Sequence, residues 1–221
     1  MPTQRHKEMI SAFKFSALFI AIYGLITQQV LANTWIRRVD EWIYNREFLL
    51  VTPGKTPTLV MLVDDLGLRS VTALVLLVTA TLIGRRFKSW RPFNLSLLSL
   101  LLLNLTVGAS KLLFGRTKPH TGFDLVFTDS GLSYPSGHAA NAILTWGIFA
   151  YLIFRYSHKE PFEGMRLTWF VSIITAGVCL ASLYRNTHWF SDLLGGLFIG
   201  SALLVLIIAI DRSIKSDRQP S

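Results

Sequence analysis

The chain of 221 residues is 51% hydrophobic and 16% charged, with a mean hydropathy of +0.44. This composition excludes an ordinary soluble domain and a disordered chain alike, and indicates an integral membrane protein. Lys and Arg number 22 against 13 Asp and Glu, for a formal charge of +9; in a membrane chain that excess reads as topology and contact with anionic headgroups, not as nucleic-acid binding.

No repeat or linker divides the sequence, so residues 1–221 are read as one membrane-embedded domain. The first charge-free apolar run, Phe15 to Leu31, follows Arg5, Lys7 and Lys14 and ends on small residues, as a cleaved signal peptide would. Its length favours a retained helix. Next comes "NTWIRRVDEWIYNREFLL", in which Trp35, Val39, Trp42, Ile43 and Leu49 recur among charges at helical spacing, the pattern of an interfacial helix. Further runs follow at Val71 to Ile83, Phe93 to Ser110, Ala139 to Phe154, Leu167 to Leu183 and Leu193 to Ile210. A crossing needs about 20 residues, so the short second run is expected to borrow from the preceding Leu66 to Arg69 or to start in the interface. The expected fold is an all-α polytopic membrane bundle with six transmembrane helices and an interfacial helix between the first two. The lone cysteine, Cys179, falls inside the fifth run; it supports neither a disulfide framework nor a thiolate metal site and reads as a packing residue.

With six spans, the amino terminus, the Arg85–Arg91 loop, the Arg155–Arg166 loop and the tail together carry 13 Lys and Arg against 5 Asp and Glu. The other face carries 9 against 8. Positive residues collect on the cytoplasmic side, so both termini are expected there, in a multi-pass protein of the cell membrane.

Three polar clusters then share the opposite, outer face. Lys111 closes the third span, with Arg116 and Lys118 just beyond it; "YPSGH" opens the fourth; "SLYRNTHWFSD" joins the fifth to the sixth. A span-end Lys or Arg ordinarily snorkels to headgroups, and for Arg116 that reading and a functional one stand level. Asp192 is harder to dismiss, because a carboxylate one turn inside an apolar helix is costly unless paired. With Asn186 or Thr187 as helix cap, His188 and Asp192 lie at i and i+4 on one face. The carboxylate then orients the imidazole and stabilises the charge that develops as its other nitrogen attacks an electrophile. Phosphate suits the surroundings: Lys111, Lys118 and Arg116 supply charge, Ser136, Gly137 and His138 supply backbone N–H groups at a helix start, and His138 can protonate a leaving oxygen.

These residues resemble the type 2 phosphatidic acid phosphatase superfamily, which includes lipid phosphate phosphatases and vanadium haloperoxidases. Its pattern is Lys, six residues, Arg-Pro; then Pro-Ser-Gly-His; then Ser-Arg, five residues, His, three residues, Asp. Here the parts read Lys111-LLFGRT-Lys118-Pro119, Pro135-Ser136-Gly137-His138 and His188-WFS-Asp192. The resemblance implies a membrane-lipid phosphatase that needs no metal or other cofactor. His188 would attack phosphorus, Asp192 would orient it, His138 would protonate the leaving group, and Lys111, Lys118, Ser136 and Gly137 would hold the phosphate. Two positions depart: Lys118 stands for an arginine and loses its bidentate fork, and Ser182 stands where the family has the arginine six residues before the nucleophile. Arg185, one helical turn on, is placed to substitute for it.

The expected substrate is a lipid phosphate or isoprenoid diphosphate at the outer leaflet. A phosphotransferase using the same site, and a lipid-phosphate-binding or transport protein that has lost the chemistry, are the alternatives.

Overall fold

The computed structural model describes residues 4–46, 56–119, 132–156 and 161–214. In chain order its helices are α1 (Gln4–Leu31), α2 (Trp35–Tyr44), α3 (Thr58–Asp65), α4 (Arg69–Arg86), α5 (Arg91–Phe114), α6 (Gly137–Tyr156), α7 (Pro161–Tyr184) and α8 (Phe190–Ser213). Among the described residues there is no β-strand, only a single antiparallel bridge between Thr117 and Leu132. Helices α1, α5, α6, α7 and α8 are each long and apolar enough to cross a membrane, and α3 with α4, bent by 55° at the break between them, are so only as a pair.

That bend is how the short second run gains its length. The chain breaks at Leu66–Leu68, where Gly67 passes so close to its neighbours that a Cβ there would lie 2.7 Å from Val178 Cγ1 and 3.0 Å from His138 Cβ. Breaking the helix releases the Leu66 carbonyl, which accepts a hydrogen bond from Trp146 Nε1 at 2.9 Å.

The centre of the bundle is α6. Two-thirds of its crossing (67%) is buried inside the protein, against 39% or less for the other single-helix crossings. It packs on α8, α7, α4 and α5, while α1 runs along α8. Small residues set the α6–α8 distance: a Cβ on Gly196 would sit 2.4 Å from the Ser136 carbonyl oxygen, and one on Gly200 would sit 2.5 Å from Ile143 Cγ2. Such close backbone approach is the usual means of joining helices where lipid removes the hydrophobic drive. Its consequence is that the first turns of α6 and α8 meet.

Helix α2 is amphipathic as expected, with Trp35 and Trp42 exposed and Ile36 buried. Its inward face also carries Asp40, 2% exposed. The expected continuation to Leu49 lies outside the described residues.

Candidate active site

The site grows from the corner where α6 begins. Ser136 is fully buried, and its hydroxyl accepts from the Ala139 N–H at 3.3 Å. Its own N–H donates to the Asp192 carbonyl at 2.9 Å, which staples the start of α6 to the start of α8. The Ser136 N–H, expected as a phosphate donor, is therefore committed to the scaffold; Gly137 and His138 open the helix above it. The corner is fixed from behind by Tyr134, which stacks on Tyr23 with 6.1 Å between ring centroids. Thr27 donates to the Tyr23 carbonyl, so the 2.6 Å contact with Tyr134 is a bond from the tyrosine hydroxyl to Thr27. Burial pushes the Tyr134 phenol well above its usual range, so it stays neutral.

His188 approaches from the other side. Helix α7 ends at Tyr184, and Asn186 takes a left-handed conformation (φ 51°) that turns the chain back, as residues past helix ends often do. The expected cap at Asn186 or Thr187 is corrected: the N-cap position is Trp189, and α8 starts at Phe190. Indole carries no acceptor, so Asp192 does the capping, its Oδ2 accepting the Trp189 N–H at 2.9 Å. His188 thus precedes α8, yet its Nδ1 still lies 3.6 Å from Asp192 Oδ2. That exceeds hydrogen-bond distance, and Nδ1 is buried without a hydrogen-bond partner. The pair is a close contact and not a hydrogen bond. The His138 and His188 rings lie 5.9 Å apart between centroids, inclined at 58°.

The expected cations divide. Lys111 Nζ donates to the Leu132 carbonyl at 2.6 Å, and Lys118 is half-buried in the segment that the Thr117–Leu132 bridge holds near the corner. Arg185 pairs with Asp64, whose other oxygen accepts the Ser182 hydroxyl at 2.6 Å. The residue in the family arginine's place and the arginine one turn on are therefore joined through one buried carboxylate. Arg116 points instead beneath the nucleophile. Its Nε donates to Asp192 Oδ1 at 3.0 Å, its Nη2 reaches Asp40 Oδ2 at 2.7 Å and Ser191 Oγ at 2.5 Å, and its guanidinium lies 5.3 Å from the Trp189 ring centre.

Asp40 and Asp64 are the residues that sequence reasoning missed. Each had a signal. Asp40 falls four residues after Ile36, on the face of an amphipathic helix that should be apolar. Asp64 sits inside an apolar stretch, "TLVMLVDD", where an unpaired carboxylate is not tolerated.

Fold and site together define a multi-pass helical membrane protein with a two-histidine, carboxylate-backed site at one end of its bundle. Residues 67–215 match the PAP2 superfamily, and the chain belongs to it. Over 216 residues the chain is 24% identical to phosphatidylglycerophosphatase B of Bacillus subtilis (strain 168), across 93% of this chain and 99% of that protein. The crystal structure of a transmembrane PAP2-type phosphatidylglycerolphosphate phosphatase from Bacillus subtilis shares the fold, with a TM-score of 0.80 at 21% identity, covering 92% of this chain and 98% of that one.

Proposed function

We propose that this protein is a membrane phosphatase that removes phosphate from a lipid phosphate through a phosphohistidine on His188. The observation that carries the reading is the closeness of the His138 and His188 rings, 5.9 Å between centroids, with Asp192 3.6 Å behind the second ring. In the first step His188 Nε2 attacks phosphorus, the bond from phosphorus to the lipid oxygen breaks, and that oxygen takes the proton of His138. In the second, water attacks the phosphohistidine, His138 takes the water's proton, and inorganic phosphate leaves with His188 restored. Asp192 holds Nδ1 toward itself and stabilises the positive ring. The phosphate rests on Lys111, Lys118, Arg185 and the Gly137 and His138 N–H groups at the start of α6, with Ser136 contributing only its hydroxyl hydrogen.

The likeness to a phosphatidylglycerophosphatase supports testing phosphatidylglycerol phosphate first, ahead of phosphatidate and isoprenoid diphosphates. Purified protein should release phosphate from phosphatidylglycerol phosphate, with and without chelator. No release from any of the three lipids would overturn the reading. The charge asymmetry of the loops supports a site facing outward. Asn45, exposed near the site end, should accept an impermeant thiol reagent in intact cells when changed to cysteine, while a cysteine at exposed Lys88 should react only in opened membranes. The reverse pattern would invert the topology.

A further inference from the structure

We propose that Asp40, on the interfacial helix α2, is a positioning residue for His188, acting through Arg116 and Asp192. The proposal rests on the reading of His188 as nucleophile. Four groups from three parts of the chain lie in line: His188 and Asp192 at the start of α8, Arg116 after α5, and Asp40 on α2. Asp192 is fully buried, Asp40 is 2% exposed and the Arg116 side chain 11%, so none of these charges is offset by water. Asp40 Oδ2 accepts from Arg116 Nη2 at 2.7 Å and from the Ser191 hydroxyl at 2.7 Å, and Oδ1 accepts the Ser191 N–H at 2.8 Å. Ser191 directly precedes Asp192. Asp40 therefore grips both the guanidinium that orients the catalytic carboxylate and the backbone that carries it.

Charge counting shows why a second carboxylate is needed. Arg116 alone would cancel Asp192, and His188 would face a neutral pair. With Asp40 on the far side of the guanidinium, the three groups carry one net negative charge, which remains available to the imidazolium-like nitrogen that forms as His188 bonds to phosphorus. Asp40 touches neither histidine, so its contribution is to the step at phosphorus and not to lipid binding.

The test is steady-state kinetics of Asp40→Asn on phosphatidylglycerol phosphate, with wild type, His188→Ala and Asp211→Asn in parallel. Asparagine keeps the size and one oxygen to accept the Ser191 N–H, and removes the charge together with the oxygen that accepts from Arg116 and the Ser191 hydroxyl. The expected result is a kcat lowered about tenfold to 100-fold, the range seen when groups that orient a histidine from its far side are lost, with KM within about twofold of wild type. Wild-type kcat, or a rise in KM that accounts for the whole loss, overturns the proposal. A loss of the same size in Asp211→Asn, a buried acid at the other end of the bundle, also overturns it, since destabilisation alone would then suffice. If Asp40→Asn does not fold, Ser191→Ala decides, because it cuts one link between Asp40 and the Asp192 segment while both charges remain: a lowered kcat at unchanged KM supports the proposal, and wild-type kcat defeats it. Full activity of His188→Ala would instead remove the underlying reading, whatever Asp40 does.

Discussion

At the end of the bundle away from the histidines, Asp211 accepts from Arg91 Nε at 2.7 Å and from the Tyr151 hydroxyl at 2.6 Å, and pairs with Arg155. At the histidine end, Asp192 and Asp40 accept from Arg116 and Asp64 pairs with Arg185, while the Trp189 N–H, the Ser191 hydroxyl and the Ser182 hydroxyl donate to Asp192, Asp40 and Asp64 in turn. Both clusters consist of buried carboxylates and arginines drawn from distant parts of the chain, and the two ends of α8 reach one each, about 28 Å apart at the α-helical rise. They differ in what is left over. Around Asp211 two arginines and a phenol surround one carboxylate, so the cluster closes on itself. Around Asp192 the carboxylates tie down the arginines from behind, while the His138 and His188 rings lie 5.9 Å apart and Arg185 stays 28% exposed. One set of contacts holds helices together; the other, on the proposed function, also holds two histidines close to each other beside a partly exposed arginine.

Removing the nucleophile should separate the ends most sharply. His188→Ala is expected to lower phosphate release by about 10,000-fold or more, the scale seen when a catalytic nucleophile is deleted. Protein trapped with labelled lipid phosphate should then carry no acid-labile label, whereas wild type carries it on His188. Asp192→Asn comes next, at about 100- to 10,000-fold. The asparagine can still cap α8 but offers no charge to the imidazolium and leaves Arg116 with Asp40 alone. Label appearing on a residue other than His188 would end the phosphohistidine mechanism.

Arg185→Ala should cost about 100-fold in kcat/KM, as expected for one charged donor to a developing phosphate charge. Adding Ser182→Arg in that background should restore part of it, because position 182 reaches the same carboxylate, Asp64, from the same helix. Wild-type kcat/KM in Arg185→Ala would leave the phosphate to Lys111, Lys118 and the start of α6. The comparison would then need redrawing, with Arg185 as closed as Arg91.

Much of this was legible in residue order because lipid imposes a simple rule. Every crossing must be a long apolar helix, so six apolar runs could be read from hydropathy, though not α3 or the 55° bend between it and α4, and a carboxylate inside a crossing called for a partner. Asp192 stood out for that reason, and His188 and His138 by their spacing from it and from the start of the fourth span. Asp40 and Asp64 did not, because their partners lie 76 and 121 residues away at Arg116 and Arg185, and pairing across such distances is set by how helices pack. The Arg116 reading, open between headgroup and phosphate, missed a third possibility for the same cause: its partners come from α2 and α8. The cap of α8 was misplaced because Asp192 looked committed to His188, when a carboxylate at the third helical position also satisfies a backbone N–H.

The smallest effect on chemistry should come from Asp211→Asn, and it bears on the comparison from the other end. Asparagine can still accept from Arg91 or Tyr151, but it leaves two arginines, about one-fifth exposed each, with no buried counter-charge. Breaking a buried pair by removing one partner costs about 3–5 kcal/mol. Partial exposure of both guanidiniums places the expected loss at or below the lower end of that range. Melting of the purified protein in detergent should therefore shift downward. Asp211 lies some 19 residues along α8 from Asp192, and nothing in its cluster touches the α6–α8 corner. For that reason kcat and KM, measured well below the melting temperature, should stay within about twofold of wild type, the range expected of sites too distant to couple. A tenfold fall in kcat in folded Asp211→Asn would mean that α8 transmits strain from one cluster to the other, and the two ends would have to be treated as a single device.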